Sequence, residues 1–152
     1  MTKPRILVLC TGNSCRSIMA EGFLTHMGFD AHSAGSKPVG AVHPKSLETL
    51  ARRGISLTHP RSKSWDEFSG QDFDYVITVC DNAAKESCPV FFSQAKKMHW
   101  PIPDPAAATG TETEIDKAFE NAFQMIRAYA ERDLLIPRSE GPSRAAVPVT
   151  RR

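Results

Sequence analysis

Two uninterrupted apolar runs stand out along the chain, PRILVLC at 4–10 and DYVITVC at 74–80. Continuous hydrophobicity, without alternation, is the pattern of strands covered on both faces, as in a parallel sheet. Between and beyond them the apolar positions fall at helical spacing. RSIMAEGFLTHMG (16–28) carries Ile18, Met19, Phe23, Leu24 and Met27. HPKSLETLARRG (43–54) has Pro44 near its start and Gly54 just past its end, the usual punctuation of a helix. A long helix runs from about Thr113 to Leu134, with Ile115, Phe119, Phe123, Ile126 and Tyr129 on one face. FDAHSAG (29–35) and KKMHW (96–100) read as further short strands. SWDEF (64–68) reads as a short helix in the polar stretch 55–72, and PIPDPA (101–106) as a turn stiffened by its prolines.

Strand and helix alternate, which predicts a single α/β domain with a doubly wound parallel sheet. Such sheets bind ligands beyond the carboxyl ends of their strands, at the point where strand order reverses. Cys10 ends the first apolar run and Cys80 the third strand. If those strands are neighbours, their backbones lie ~4.8 Å apart, and two thiols at matching ends need little motion to reach disulfide geometry.

Composition narrows the class. The 152 residues are 41% hydrophobic, enough for one core but not two. The domain is expected over 1–135. After Leu135 the chain turns to Pro, Arg, Ser and Gly, and residues 136–152 read as a disordered, solvated tail. A net charge of +2 gives no field that argues for nucleic acid or a membrane surface. No segment has the length of a bilayer span or the pattern of a secretory leader. The expectation is a cytoplasmic monomer. In that compartment Cys10, Cys15, Cys80 and Cys88 are catalytic, metal-binding or inert rather than structural disulfides. Zinc is disfavoured, because Cys80 and Cys88 lack a second close pair at ligand spacing.

The densest chemistry is Cys10-Thr11-Gly12-Asn13-Ser14-Cys15-Arg16-Ser17, placed between a strand and a helix. A turn there directs successive backbone N–H groups inward and makes an anion nest at a helix N-terminus. Gly12 permits unusual backbone angles, and Arg16 offers a planar fork of donors to a tetrahedral oxyanion. The same field should depress the Cys10 pKa and make it a nucleophile. Ser17 is placed to donate to that thiolate and Asn13 to brace the loop. The bland reading is a buried strand-end cysteine beside a surface arginine. The spacing, the glycine and the strand–loop–helix context together outweigh it.

CTGNSCRS followed by MAEGF resembles the phosphate loop of the low-molecular-weight protein tyrosine phosphatase superfamily, which includes both phosphatases and arsenate reductases. RSKSWDEF (61–68), VITVCDNAA, CPV and HWPIPDPA extend the resemblance over most of residues 5–107, toward the arsenate reductases. It implies a four-stranded sheet in the flavodoxin-like order 2-1-3-4 flanked by helices. It also implies the following chemistry: Cys10 attacks arsenate with Asp104 as general acid, Cys80 attacks Cys10 as arsenite leaves, and Cys88 resolves the resulting disulfide. No bound cofactor is implied. The reductant is an external thiol, thioredoxin or glutaredoxin with glutathione, and phosphate or sulfate can occupy the anion loop.

Two other functions remain open: a low-molecular-weight phosphatase, and a non-catalytic thiol protein that captures oxyanion or arsenite. Ala106 stands where the phosphatases carry a tyrosine after the acid and proline, which weighs against the first. Cys15 is expected to pack beneath the loop. Asn13, Glu21 and Ser33 match a potassium site of some thioredoxin-linked relatives, but Arg61 and Lys63 bring fixed positive charge there. One of those two is expected to supply the charge instead. The five histidines (His26, His32, His43, His59, His99) show no ligand spacing and default to helix or loop surface. Trp65 and Trp100 read as core or lid residues.

Overall fold

A computed structural model describes residues 3–81 and 94–134. Cys88 and the tail 136–152 lie outside the described residues. In chain order the elements are β1 (Arg5–Cys10), α1 (Arg16–His26), β2 (Asp30–Gly35), α2 (Pro44–Ala51), a 3-10 turn (Trp65–Phe68), β3 (Tyr75–Thr78), β4 (Lys96–His99), a second 3-10 turn (Pro105–Ala107) and α3 (Glu112–Asp133). The four strands form one sheet in the order β2-β1-β3-β4, every pair parallel. From β1 the chain crosses to β2 on one side and later to β3 on the other. The carboxyl end of β1 is therefore the switch point, and Cys10 is its last residue.

Apolar runs become central strands here because side chains alternate across the sheet and both faces are covered. Ile6 and Val8 of β1 and Ile77 of β3 face Met19, Phe23 and Leu24 of α1, Leu50 of α2 and Phe119, Phe123 and Ile126 of α3, all buried. Leu7, Leu9 and Val76 face Phe68 and Phe73, with Trp65 half-buried at the edge. Each large side chain so covered contributes about 1.5–3 kcal/mol.

The element ends differ from the sequence reading in instructive ways. Strand β3 stops at Thr78, so Cys80 sits two residues past the strand instead of at its tip. The β4 ladder closes with Trp100 N–H donating to the Thr78 carbonyl (2.8 Å), and the proline-rich turn 101–106 follows at once. Helix α1 stops at His26, where Gly28 takes a positive φ of 102°. Helix α3 starts at Glu112, one residue early, because Thr111 and Glu114 form a reciprocal capping box. Its buried stripe is Phe119, Ala122, Phe123, Ile126 and Ala130; Ile115 and Tyr129 lie at the margin. The alanines, missed by a count of large apolar residues, let α3 approach closely.

Trp100 is fully buried, as a core residue should be, and its indole N–H donates to Asp133 at 2.8 Å. His26 and His59 are exposed on helix and loop as expected, while the other three histidines sit elsewhere. His32 lies on β2 against Phe68 and Phe73, His43 caps α2 by accepting from Lys45 N–H, and His99 lies on β4. Among the described residues, no helix is long and apolar enough to cross a membrane, and no His/Cys/Asp/Glu group is arranged to hold a metal.

Candidate active site at the end of β1

Residues 11–15 leave β1, turn, and enter α1. Their carbonyls are held from outside by a strap. Lys37 N–H donates to Thr11 O, Val39 N–H and the Ser62 hydroxyl to Gly12 O, and His43 N–H to Ser14 O, at 2.9–3.0 Å. In a planar trans peptide the N–H points opposite to its carbonyl. Anchoring those three carbonyls outward therefore turns the N–H groups of Gly12, Asn13 and Cys15 toward the loop interior. Helix α1 begins at once, and its N-cap residue Cys15 makes no side-chain capping bond. The first-turn N–H groups, with the positive end of the helix dipole, add to the same concave surface.

Asn13 is the brace. It is fully buried at a φ of 52°, a left-handed conformation that asparagine tolerates better than most residues. Its amide donates to Ser17 Oγ (2.8 Å) and Ser33 Oγ (3.0 Å), and its Oδ1 accepts from Lys63 N–H (2.8 Å). Ser17, expected to face the Cys10 thiolate, thus has its hydroxyl oxygen against Asn13. Cys15 is buried, with its thiol beside Ser14 Oγ (3.6 Å) and pushed up by burial.

Arg16 closes the far side. Its Nη1 donates to the Ile102 carbonyl (2.9 Å) and its Nη2 lies 3.8 Å from Asp104 Oδ2. Among the described residues its buried Nε has no hydrogen-bond partner. An unsatisfied charged donor beside an anion nest is costly unless an anion completes it. Asp104 is rigid between two prolines, its Oδ1 accepting from Ala106 N–H (3.0 Å) as the cap of the second 3-10 turn. Thr11, Arg16, Cys80, Asp81, Ile102 and Asp104 line part of one open cleft of about 690 Å³.

The sheet brings two sulfurs together. Leu9 pairs with Thr78, and Val79 N–H donates to Leu9 O (3.0 Å). One step further, Cys80 Sγ lies 3.7 Å from Thr11 Oγ1 and in hydrogen-bond contact with the Cys10 thiol. Cys10, Cys15 and Cys80 are all buried. The depressed Cys10 pKa expected from the loop is not what this geometry produces. The Cys10 thiol is held well above its ordinary value, first by the hydrogen bond with Cys80 and then by burial, while Arg16 and the Thr11 N–H pull downward. A neighbouring thiol competing for the same proton outweighs a guanidinium turned toward Ile102.

Sequence reasoning missed the strap at 37–43, the Ile102 carbonyl and Ser62. The first two act through backbone atoms and leave no mark in residue type. Ser62 is one serine among many polar residues in its stretch.

The chain is similar over residues 5–136 to the family described as low molecular weight phosphotyrosine protein phosphatase. A relative named arsenate reductase in Bacillus licheniformis is 40% identical over 138 residues, covering 86% of this chain and 98% of the relative. A second of that name, in Halalkalibacterium halodurans, matches to the same extent. Among solved structures, one described as an arsenate reductase in the phosphate binding state superposes with a TM-score of 0.72 at 25% identity, covering 88% of this chain and 96% of the other.

Proposed function

The chain belongs to the low molecular weight phosphotyrosine protein phosphatase family, alongside relatives named arsenate reductase, and from this we propose that it reduces arsenate to arsenite by a cysteine relay. Arsenate enters the N–H nest, with Thr11, Gly12, Asn13, Ser14, Cys15 and Ser17 around it, and completes the coordination of Arg16. Cys10 attacks arsenic. Asp104 protonates the departing hydroxide and the Cys10 proton makes good that loss, so the step releases water and leaves a Cys10–S–As(V) adduct. Cys80, as thiolate, then attacks Cys10 Sγ. The electron pair of the S–As bond stays on arsenic, arsenite departs, and a Cys10–Cys80 disulfide forms. Cys88 displaces Cys10 from Cys80, restoring the nucleophile and leaving a Cys80–Cys88 disulfide. An external dithiol, thioredoxin or glutaredoxin with glutathione, reduces it.

The single observation that carries this reading is the second buried thiol, Cys80, which lies 3.7 Å from the Oγ1 of Thr11, the residue after Cys10, and lines the same cleft as Arg16. Ester hydrolysis needs one nucleophilic cysteine and an acid. A two-electron reduction needs a further sulfur within reach. The test is to assay the purified protein with arsenate and with p-nitrophenyl phosphate, using each reductant system in turn. Arsenate turnover that survives Cys80→Ser removes the relay. Fast ester hydrolysis with no arsenate turnover makes the protein a phosphatase, and stoichiometric binding with neither makes it a capture protein.

A further inference from the structure

Behind the anion loop, four residues from four segments form a closed ring. Lys63 N–H donates to Asn13 Oδ1 (2.8 Å), Asn13 Nδ2 donates to Ser33 Oγ (3.0 Å), and Ser33 Oγ donates to Glu21 Oε1 (2.5 Å). Glu21 Oε1 lies 4.0 Å from Lys63 Nζ, which returns the ring to its starting residue. The ring ties α1, β2 and the 61–64 segment to the one loop residue held at a positive φ.

Its charges are sheltered. The Lys63 and Glu21 side chains are 11% and 17% exposed. Burial disfavours the charged ammonium, and Glu21 opposes that loss. Arg61, the other cation of the segment, is turned outward into a two-pronged pair with Glu67. Lys63 Nζ also donates to the Arg61 carbonyl (3.0 Å), which aims it back into the ring. A sheltered carboxylate without a cation would pull on Ser33, and through Ser33 on the Asn13 amide.

We propose that Lys63 is a positioning residue, a built-in counter-ion whose ammonium neutralises Glu21 and thereby holds Asn13 and the anion loop in their binding shape. The proposal rests on the loop being the oxyanion site of the reading above, but not on arsenate being turned over.

The test reads anion binding first. Isothermal titration of inorganic phosphate into the full chain should show affinity falling roughly tenfold or more in Lys63→Met, the scale of effect that a displaced binding group produces. Lys63→Arg, which keeps the charge, should recover most of it. In Lys63→Ala, ammonium or potassium ions should restore phosphate affinity, whereas the unmodified protein should not respond to either. A role in packing alone predicts no rescue by small cations. Wild-type phosphate affinity in Lys63→Met overturns the proposal, and so does a potassium-dependent rise in the unmodified protein. Should Lys63→Met fail to fold, the Lys63→Ala/Glu21→Gln double variant removes both charges and keeps an acceptor for Ser33; phosphate affinity should be largely retained there, and a loss as large as in Lys63→Ala alone overturns the proposal equally. A protein that binds phosphate as expected but reduces no arsenate refutes the functional reading and leaves the Lys63 inference standing.

Discussion

Gly35→Ala probes how tightly the sheet positions the loop. Gly35 is the last residue of β2 and pairs with Cys10. A Cβ there would sit 2.3 Å from the Thr11 carbonyl oxygen and 2.9 Å from that of Cys10. Opening the first contact merely to 3.0 Å takes about 0.7 Å of movement. Strand β2 cannot supply it alone, since Gly35 N–H is bound to Lys63 O on one side and β2 is laddered to β1 on the other. The Thr11 peptide must rotate, and the Gly12 N–H on the same peptide plane rotates with it. Overpacking of this kind costs about 1–3 kcal/mol of stability, and a shift near 1 Å at a reacting group can cost on the order of 100-fold in rate. Denaturant unfolding, phosphate titration and kcat/KM for arsenate on the same preparation measure both parts. The expected outcome is a modest loss of stability with a disproportionate loss of anion affinity and rate. A variant within about 0.5 kcal/mol of wild type and with unchanged phosphate affinity would show that β2 does not hold the loop in place.

Two further outcomes are expected. Trp100→Phe removes the indole donor to Asp133 and should cost about 1–2 kcal/mol in urea unfolding; an unchanged midpoint would contradict the burial argument. Asp116 is held below the ordinary carboxylate range by its hydrogen bond from Lys45, and Asp133 by those from Arg132 and Trp100. Depressed carboxylates stabilise the fold fully above the unfolded value near ~3.9 and lose that contribution as pH falls through their folded values. The melting temperature should therefore be flat from neutral pH to about 5 and fall below about 4, and a decline beginning near neutrality would point to other groups.

Much of this site was legible because its logic is written in residue type and spacing. PRILVLC and DYVITVC announce two central strands, and CTGNSCRS announces the nest between strand and helix. What stayed hidden is written in backbone geometry. Nothing about Lys37, Val39 or Ile102 as residue types foretells that their backbone atoms anchor the loop or Arg16. The direction of the Cys10 shift was missed for a related reason. The motif contains the arginine that lowers it, while the thiol that raises it arrives from 70 residues away through strand pairing. The end of β3 lies earlier than expected because a cysteine after an apolar run looks like more strand, and residue type does not mark where the ladder stops.

The strap at 37–43 has a consequence for selectivity. A cradle whose outer carbonyls are already satisfied is ordered before any ligand arrives, so it recognises a tetrahedron of oxygens and little else. On the proposed function, phosphate and sulfate, alike in shape to arsenate, would compete for the loop, and no adjustment of fit could turn them away. Discrimination then falls to electron acceptance. Of the three anions, only the arsenic one readily takes a pair of electrons from sulfur at a cell's thiol potentials, and only its capture leads forward; the others come and go.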